Sequence, residues 1–123
     1  MKLKDARVRQ WALFVLVVIA IFVGTLAPGP IVGVAQVWIG LPYLQETAHV
    51  LLFFALGCAF PPLSQRVKAW HVLLLALFLA LTTEGLQHFA VARHPSWDGV
   101  AADMAGAAIA VFLGALRIMW RRD

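Results

Sequence analysis

The chain has 123 residues, 63% of them apolar and 13% charged, with a formal net charge of +4. A soluble domain carries charge on about a quarter of its residues, so a mean hydropathy of +0.87 excludes an ordinary water-soluble domain and points to a membrane protein. The length allows one domain, read here as a single all-α, polytopic membrane unit over residues 1–123.

A helix crosses the hydrocarbon core with about 20 predominantly apolar residues, and about 17 is the lower limit. The first such run covers residues 11–27 and ends at Pro28-Gly29-Pro30, where two prolines stop a helix. Its basic leader and Thr25-Leu26-Ala27 also fit a cleavable secretory signal, but a full apolar span favours retention. Residues 31–41 are apolar but too short to span, and they carry Gly33 and Gly40 with Pro42 just beyond. They are read as an interfacial or packed loop with Trp38 and Tyr43 at headgroup level. The second span covers residues 44–60 and stops at Pro61-Pro62, the third covers 70–90 and the fourth 97–120. The lone cysteine, Cys58, excludes a disulfide framework and is expected to be a small buried packing residue.

Four crossings make a four-helix bundle, and the basic residues orient it. Lys2, Lys4, Arg7 and Arg9 precede the first span, Arg66 and Lys68 separate the second from the third, and Arg117, Arg121 and Arg122 follow the fourth. Nine of the ten basic residues therefore share one side, which the positive-inside rule makes cytoplasmic, with both termini inside. Trp11, Trp70 and Trp120 mark the inner boundary, and Trp38 and Trp97 the outer one. Short basic clusters beside apolar runs suit anionic lipid headgroups rather than a nucleic-acid groove, so membrane lipids are expected partners and nucleic acid is not.

This topology brings the polar residues of three helices to one end. Glu46 and His49 open the second span, three apart and on one face. Glu84, Gln87 and His88 close the third, Asp98 and Asp103 open the fourth, and Arg93 is the one basic residue on that side. At about 1.5 Å rise per residue, Glu84 and Asp103 lie roughly 8–10 Å inside their helix ends. Ionisable groups at that depth are costly unless paired or hydrated, so their convergence points to a hydrated, outward-facing pocket.

Each residue also has a structural reading. Glu84 and Arg93 can form an ion pair that docks the third span on the fourth. Asp98 is expected to cap the fourth helix. His88 and His94 are read as interfacial, and so is His71 beside Trp70. His49 lies on an otherwise apolar helix, where it serves either proton transfer or an interhelical hydrogen bond.

The fourth span repeats Ala102, Gly106, Ala110 and Gly114 every four residues, a ladder that lets a neighbouring helix approach closely. It is read as the seam of the bundle, with a homodimer seam as the alternative. There is no phosphate-binding glycine loop, His-Glu-x-x-His or Cys-x-x-Cys, so no cofactor and no metal are expected. Glu46 and His49 have metal-ligand spacing, but a second helix would have to complete that site.

The order of these residues resembles the VanZ-like family, small bacterial integral membrane proteins named after a protein associated with teicoplanin resistance. The matching features are Pro28-Gly29-Pro30, His49 followed by Phe53 and Phe54, Glu84 with Gln87, Arg93 followed by Ser96, and Asp103 with Gly106. The resemblance covers nearly the whole chain. This chain departs from it at Gln45-Glu46, where Asp-Lys is frequent, at Gly99, where an aspartate is usual, and at Asp103, where Asn is common. His49, Glu84, Gln87 and Arg93 are therefore the firmer carry-overs, with Asp103 next.

The resemblance implies a multi-pass protein of the bacterial inner membrane and cell envelope, linked in some members to glycopeptide resistance. Residues and resemblance together suggest a pocket for an anionic envelope lipid or a lipid-linked cell-wall precursor. Arg93 would contact phosphate, His49 and Glu84 would form the proton-active pair, and Gln87 and Asp103 would line the ligand. Whether a reaction follows binding is left open. A small proton-coupled transporter using Glu84, or a non-catalytic scaffold, are the alternatives.

Overall fold

The computed structural model describes residues 2–60 and 69–121, which form five helices. They are α1 (Lys2–Leu26), α2 (Gly29–Ile39), α3 (Leu44–Ala59), α4 (Ala69–Gln87) and α5 (Trp97–Trp120). The Pro61-Pro62 stop and the basic residues Arg66, Lys68 and Arg122 fall outside the described residues.

Three spans, Lys4–Leu26, Ala69–Gln87 and Trp97–Trp120, are long and apolar enough to cross a membrane. The 16 residues of α3 rise only about 24 Å, short of a hydrocarbon core about 30 Å thick. It is bent by 97° from α2, and counting that pair as one broken span gives four crossings. The chain is thus a multi-pass, all-helical membrane protein. Its outer faces fit lipid, with Leu16, Val23, Leu74, Phe78 and Phe112 all exposed.

The segment expected as a loop is helical. Pro28-Gly29-Pro30 does end α1, since a residue before proline is driven out of the α region. The same three residues then start α2, with Pro28 at its N-cap and Pro30 in its first turn. Proline fits there because the first N–H groups of a helix have no intrahelical partner anyway. Gly40, in the left-handed conformation at φ 69°, closes α2 by donating its N–H to Gln36. No residue of α2 is buried, and Trp38 and Tyr43 stay exposed as an interfacial position requires.

α1, α3, α4 and α5 enclose a core of Ile21, Phe53, Leu56, Leu79, Val100 and Ala107. α3 and α5 form the most extensive helix pair. A Cβ on Gly106 would overlap the Val50 carbonyl, and one on Gly57 would press on the Ala110 methyl. The glycine–alanine ladder is therefore filled by α3 at Gly106 and Ala110, whereas Gly114 faces open space. Cys58 is exposed rather than buried, because Phe53, Leu56 and Ala59 take the inward face of α3.

The two ends of the bundle differ. At one end Gln10 donates to the Phe60 carbonyl at 3.2 Å and the Phe14 and Phe60 rings meet edge to face. That end carries Arg7 and Arg9 at the start of α1 and Arg117 and Arg121 at the end of α5. The other end gathers the C-termini of α1 and α4 and the N-termini of α3 and α5, and the buried polar residues collect there.

Candidate functional site

The buried polar side chains among the described residues are Thr25, His49, Thr83, Glu84, Gln87, Arg93 and Asp103. All five residues singled out from the sequence as site candidates belong to this set. Four segments supply them: α1, α3, α4 with the turn after it, and α5.

Asp103 is fully buried in the second turn of α5 and meets His49 from α3, with Nδ1 and Oδ1 2.6 Å apart. Facing an ionised Asp103, which only accepts, Nδ1 would carry the proton and leave Nε2 for other work. Asp103 Oδ2 is buried with no partner. The close approach at Gly106 makes this pair possible, because it draws the backbone of α3 at Val50, next to His49, against α5.

Glu84 lies in the last turn of α4, which ends at Gln87 rather than near residue 90. The chain tightens there into three-residue turns, with Ala90 donating to Gln87 at 3.1 Å. Glu84 Oε2 accepts from the Ser96 N–H at 2.9 Å, and Oε1 lies where a Cβ on residue 99 would stand. Gly99 therefore lets the carboxylate settle onto the N-terminus of α5, where orphan N–H groups and the helix dipole favour a negative charge. Ser96 is the N-cap of α5, its hydroxyl accepting from Gly99 at 3.3 Å. Asp98, expected as the cap, is exposed in the first turn and complements only the dipole.

Gln87 donates its side-chain amide to the Thr25 carbonyl at 2.7 Å, satisfying a terminal acceptor of α1 and docking α4 on it. Thr25 itself back-bonds to Ile21 at 2.6 Å. The one sign of this contact in the sequence is a hydroxyl near the end of an apolar run.

Arg93 follows Ala92, whose left-handed φ of 52° turns the chain toward α5. Gly29 donates to the Val91 carbonyl at 2.9 Å, fastening this turn to the α1–α2 corner. Arg93 is 8% exposed, and its Nε is buried without a hydrogen-bond partner. The expected Glu84–Arg93 ion pair does not form: Glu84 is held by Ser96, and the one ion pair among the described residues is His49–Asp103. Burial pulls the guanidinium below its ordinary pKa, and the Glu84 charge offsets part of that.

Glu84 also reaches a cleft of about 290 Å³ between α4 and α5, bordered by Leu81, His88, Ser96, Trp97 and Val100. His88 and His94 are exposed, as interfacial residues should be, and His71 stacks on Trp70 with ring centroids 3.8 Å apart. Glu46 is exposed and lies outside the cluster. His49, Glu84 and Asp103 each offer a ligand atom, and these atoms lie within 4.8 Å of one another.

No curated protein and no solved structure matches the chain. The model of the VanZ/LLP1 family does, over residues 6–118. With nearly its full length matched, the chain belongs to the VanZ-like family of membrane proteins.

Proposed function

We propose that the polar end of the bundle binds the phosphate-bearing headgroup of an envelope lipid or a lipid-linked cell-wall precursor. The site would face outward across a bacterial inner membrane. The observation that carries this reading is Arg93, nearly buried, outside any ion pair, with an unpartnered Nε donor. Guanidinium presents donors in a planar fork that matches phosphate, and burial strengthens such a charge-assisted contact. The cleft beside Glu84 offers apolar walls at Leu81 and Val100 for the glycerol or acyl part of such a molecule. The family name suggests altered glycopeptide susceptibility as the physiological consequence.

The test is binding of phosphatidylglycerol and of an undecaprenyl-linked precursor to the protein in nanodiscs, alongside teicoplanin susceptibility of expressing cells at matched protein levels. Arg93→Ala should weaken binding at least about tenfold, the worth of a charge-assisted hydrogen bond. Unchanged binding and susceptibility in Arg93→Ala would sink the reading. If Glu84→Gln instead lowers only the amount of folded protein, the cluster is a scaffold element.

The buried His49–Asp103 pair favours one other reading, proton-coupled transport, since such a pair can pass a proton within the bundle. Substrate flux in liposomes that follows a proton gradient and is lost in Glu84→Gln would select it.

A further inference from the structure

We infer that His49, Glu84 and Asp103 form a binding site for a divalent metal ion of the Zn²⁺ or Mn²⁺ class. The three side chains come from three different helices, are all buried, and bring one donor atom each to within 4.8 Å of the others. Ligand atoms about a tetrahedral ion stand roughly 3.4 Å apart. Glu84, with its flexible stem, can therefore close in, while the hydrogen-bonded His49 Nδ1 and Asp103 Oδ1 must open from 2.6 Å to admit the ion between them. One imidazole and two carboxylates make a mixed nitrogen–oxygen set, which suits Zn²⁺ and Mn²⁺ better than Cu⁺ or Ca²⁺. Three protein ligands leave a coordination position open, as in metal sites that take up a further molecule.

Two independent observations point to an occupant. The first is charge: Glu84 and Asp103 are both buried here, and the N-terminus of α5 that meets Glu84 does not reach Asp103, so a proton on His49 or Asp103, or a bound cation, offsets the second carboxylate. The second separates those choices. A proton on His49 satisfies Asp103 Oδ1 alone and leaves Oδ2 buried without a partner. A metal ion takes up a carboxylate lone pair directly, and His49 binds it neutral through whichever ring nitrogen faces it.

The metal site stands on this geometry alone. Its further role, lending positive charge beside Arg93 so that a phosphate group can approach two carboxylates, rests on the headgroup reading above. A metal ion would convert the locally acidic cluster into one that attracts anions.

The experiment uses the full-length protein in nanodiscs, stripped with EDTA and then titrated with Zn²⁺ or Mn²⁺. Bound metal is read by elemental analysis after desalting and, for Mn²⁺, by the loss of the free-ion EPR signal. One ion per chain is expected in the wild type, with affinity at least about tenfold lower in Asp103→Asn and His49→Gln. No stoichiometric metal in the wild type overturns the site, whatever the variants do, and so does full retention in both variants. A third variant, Gly99→Ala, keeps every ligand and displaces only Glu84, so it should weaken binding without loss of fold. Phosphatidylglycerol binding is then compared in stripped and loaded protein. Metal uptake with no lipid binding in either state refutes the headgroup reading and leaves the metal site intact. Equal lipid binding in both states refutes the metal's part in headgroup recognition.

Discussion

The glycines of α5 give a test in which helix propensity and packing predict opposite signs. In an unhindered helix, Gly→Ala stabilises by about 0.8–1 kcal/mol. Gly114 has no atom within 4 Å of an added Cβ, so Gly114→Ala should show about that gain. At Gly106 the same methyl would overlap the Val50 carbonyl and lie 2.9 Å from the Phe54 nitrogen. Both are backbone atoms of α3 and cannot rotate away, so α3 must retreat. Overpacking of this kind costs about 1–3 kcal/mol, which cancels the propensity gain or outweighs it. The two variants should therefore differ by about 1–3 kcal/mol, with Gly106→Ala the weaker. Unfolding by SDS in mixed micelles, followed by far-UV circular dichroism, measures both. Because His49 adjoins Val50, the retreat should also lengthen the 2.6 Å contact to Asp103. If Gly106→Ala is stabilised as much as Gly114→Ala, the close α3–α5 seam and the site geometry derived from it are wrong.

Two further outcomes follow from the contacts around the polar end. Gln87→Leu keeps the side chain's bulk but removes the donor to the Thr25 carbonyl, and should cost about 0.6–1.7 kcal/mol in the same assay, the range for interhelical bonds in membranes. Hydrogen exchange should rise at the end of α1 and leave the α3–α5 seam unchanged. Ser96→Ala removes the N-cap hydroxyl of α5 at a cost near the lower end of the ~0.5–2 kcal/mol range for caps, because its 3.3 Å bond is long. A loss above that range would mean that Ser96 also holds Glu84 by more than its backbone N–H.

The membrane class and the crossings follow from apolar run length, which composition reports directly. That the polar residues gather at one end follows from topology, since antiparallel crossings carry His49, Glu84 and Asp103 there. The pairing within it was not legible. The sequence pairs His49 with Glu84, yet it bonds Asp103, and this depends on the approach at Gly106, where a missing side chain acts through the backbone of α3. Charge alone pairs Glu84 with Arg93, yet it takes the Ser96 N–H, because α4 ends three residues before residue 90 and the turn after it brings the start of α5 over Glu84. α2 is hidden in the sequence for a related reason. Two prolines read as a stop, and the same two residues suit the first turn of the next helix, which the hydropathy of residues 31–41 does not distinguish from an interfacial loop.

The polar end is assembled from helix termini, and this explains how two carboxylates share one buried region. Glu84 is balanced by the N-terminus of α5, through the Ser96 N–H and the helix dipole. Asp103 lies one turn deeper, beyond those free N–H groups, and must find its partner on another helix at His49. The two replacements Glu84→Gln and Asp103→Asn are therefore unlike in what they leave behind. Glutamine keeps a carbonyl oxygen for Ser96 and gives up only the charge, so the fold should survive and a change in function can be attributed to the site. Asparagine at 103 removes the charge that His49 meets inside the bundle, so stability and function should fall together. Separating those two effects requires Glu84, because its structural role needs only an acceptor, whereas binding a metal ion draws on its negative charge.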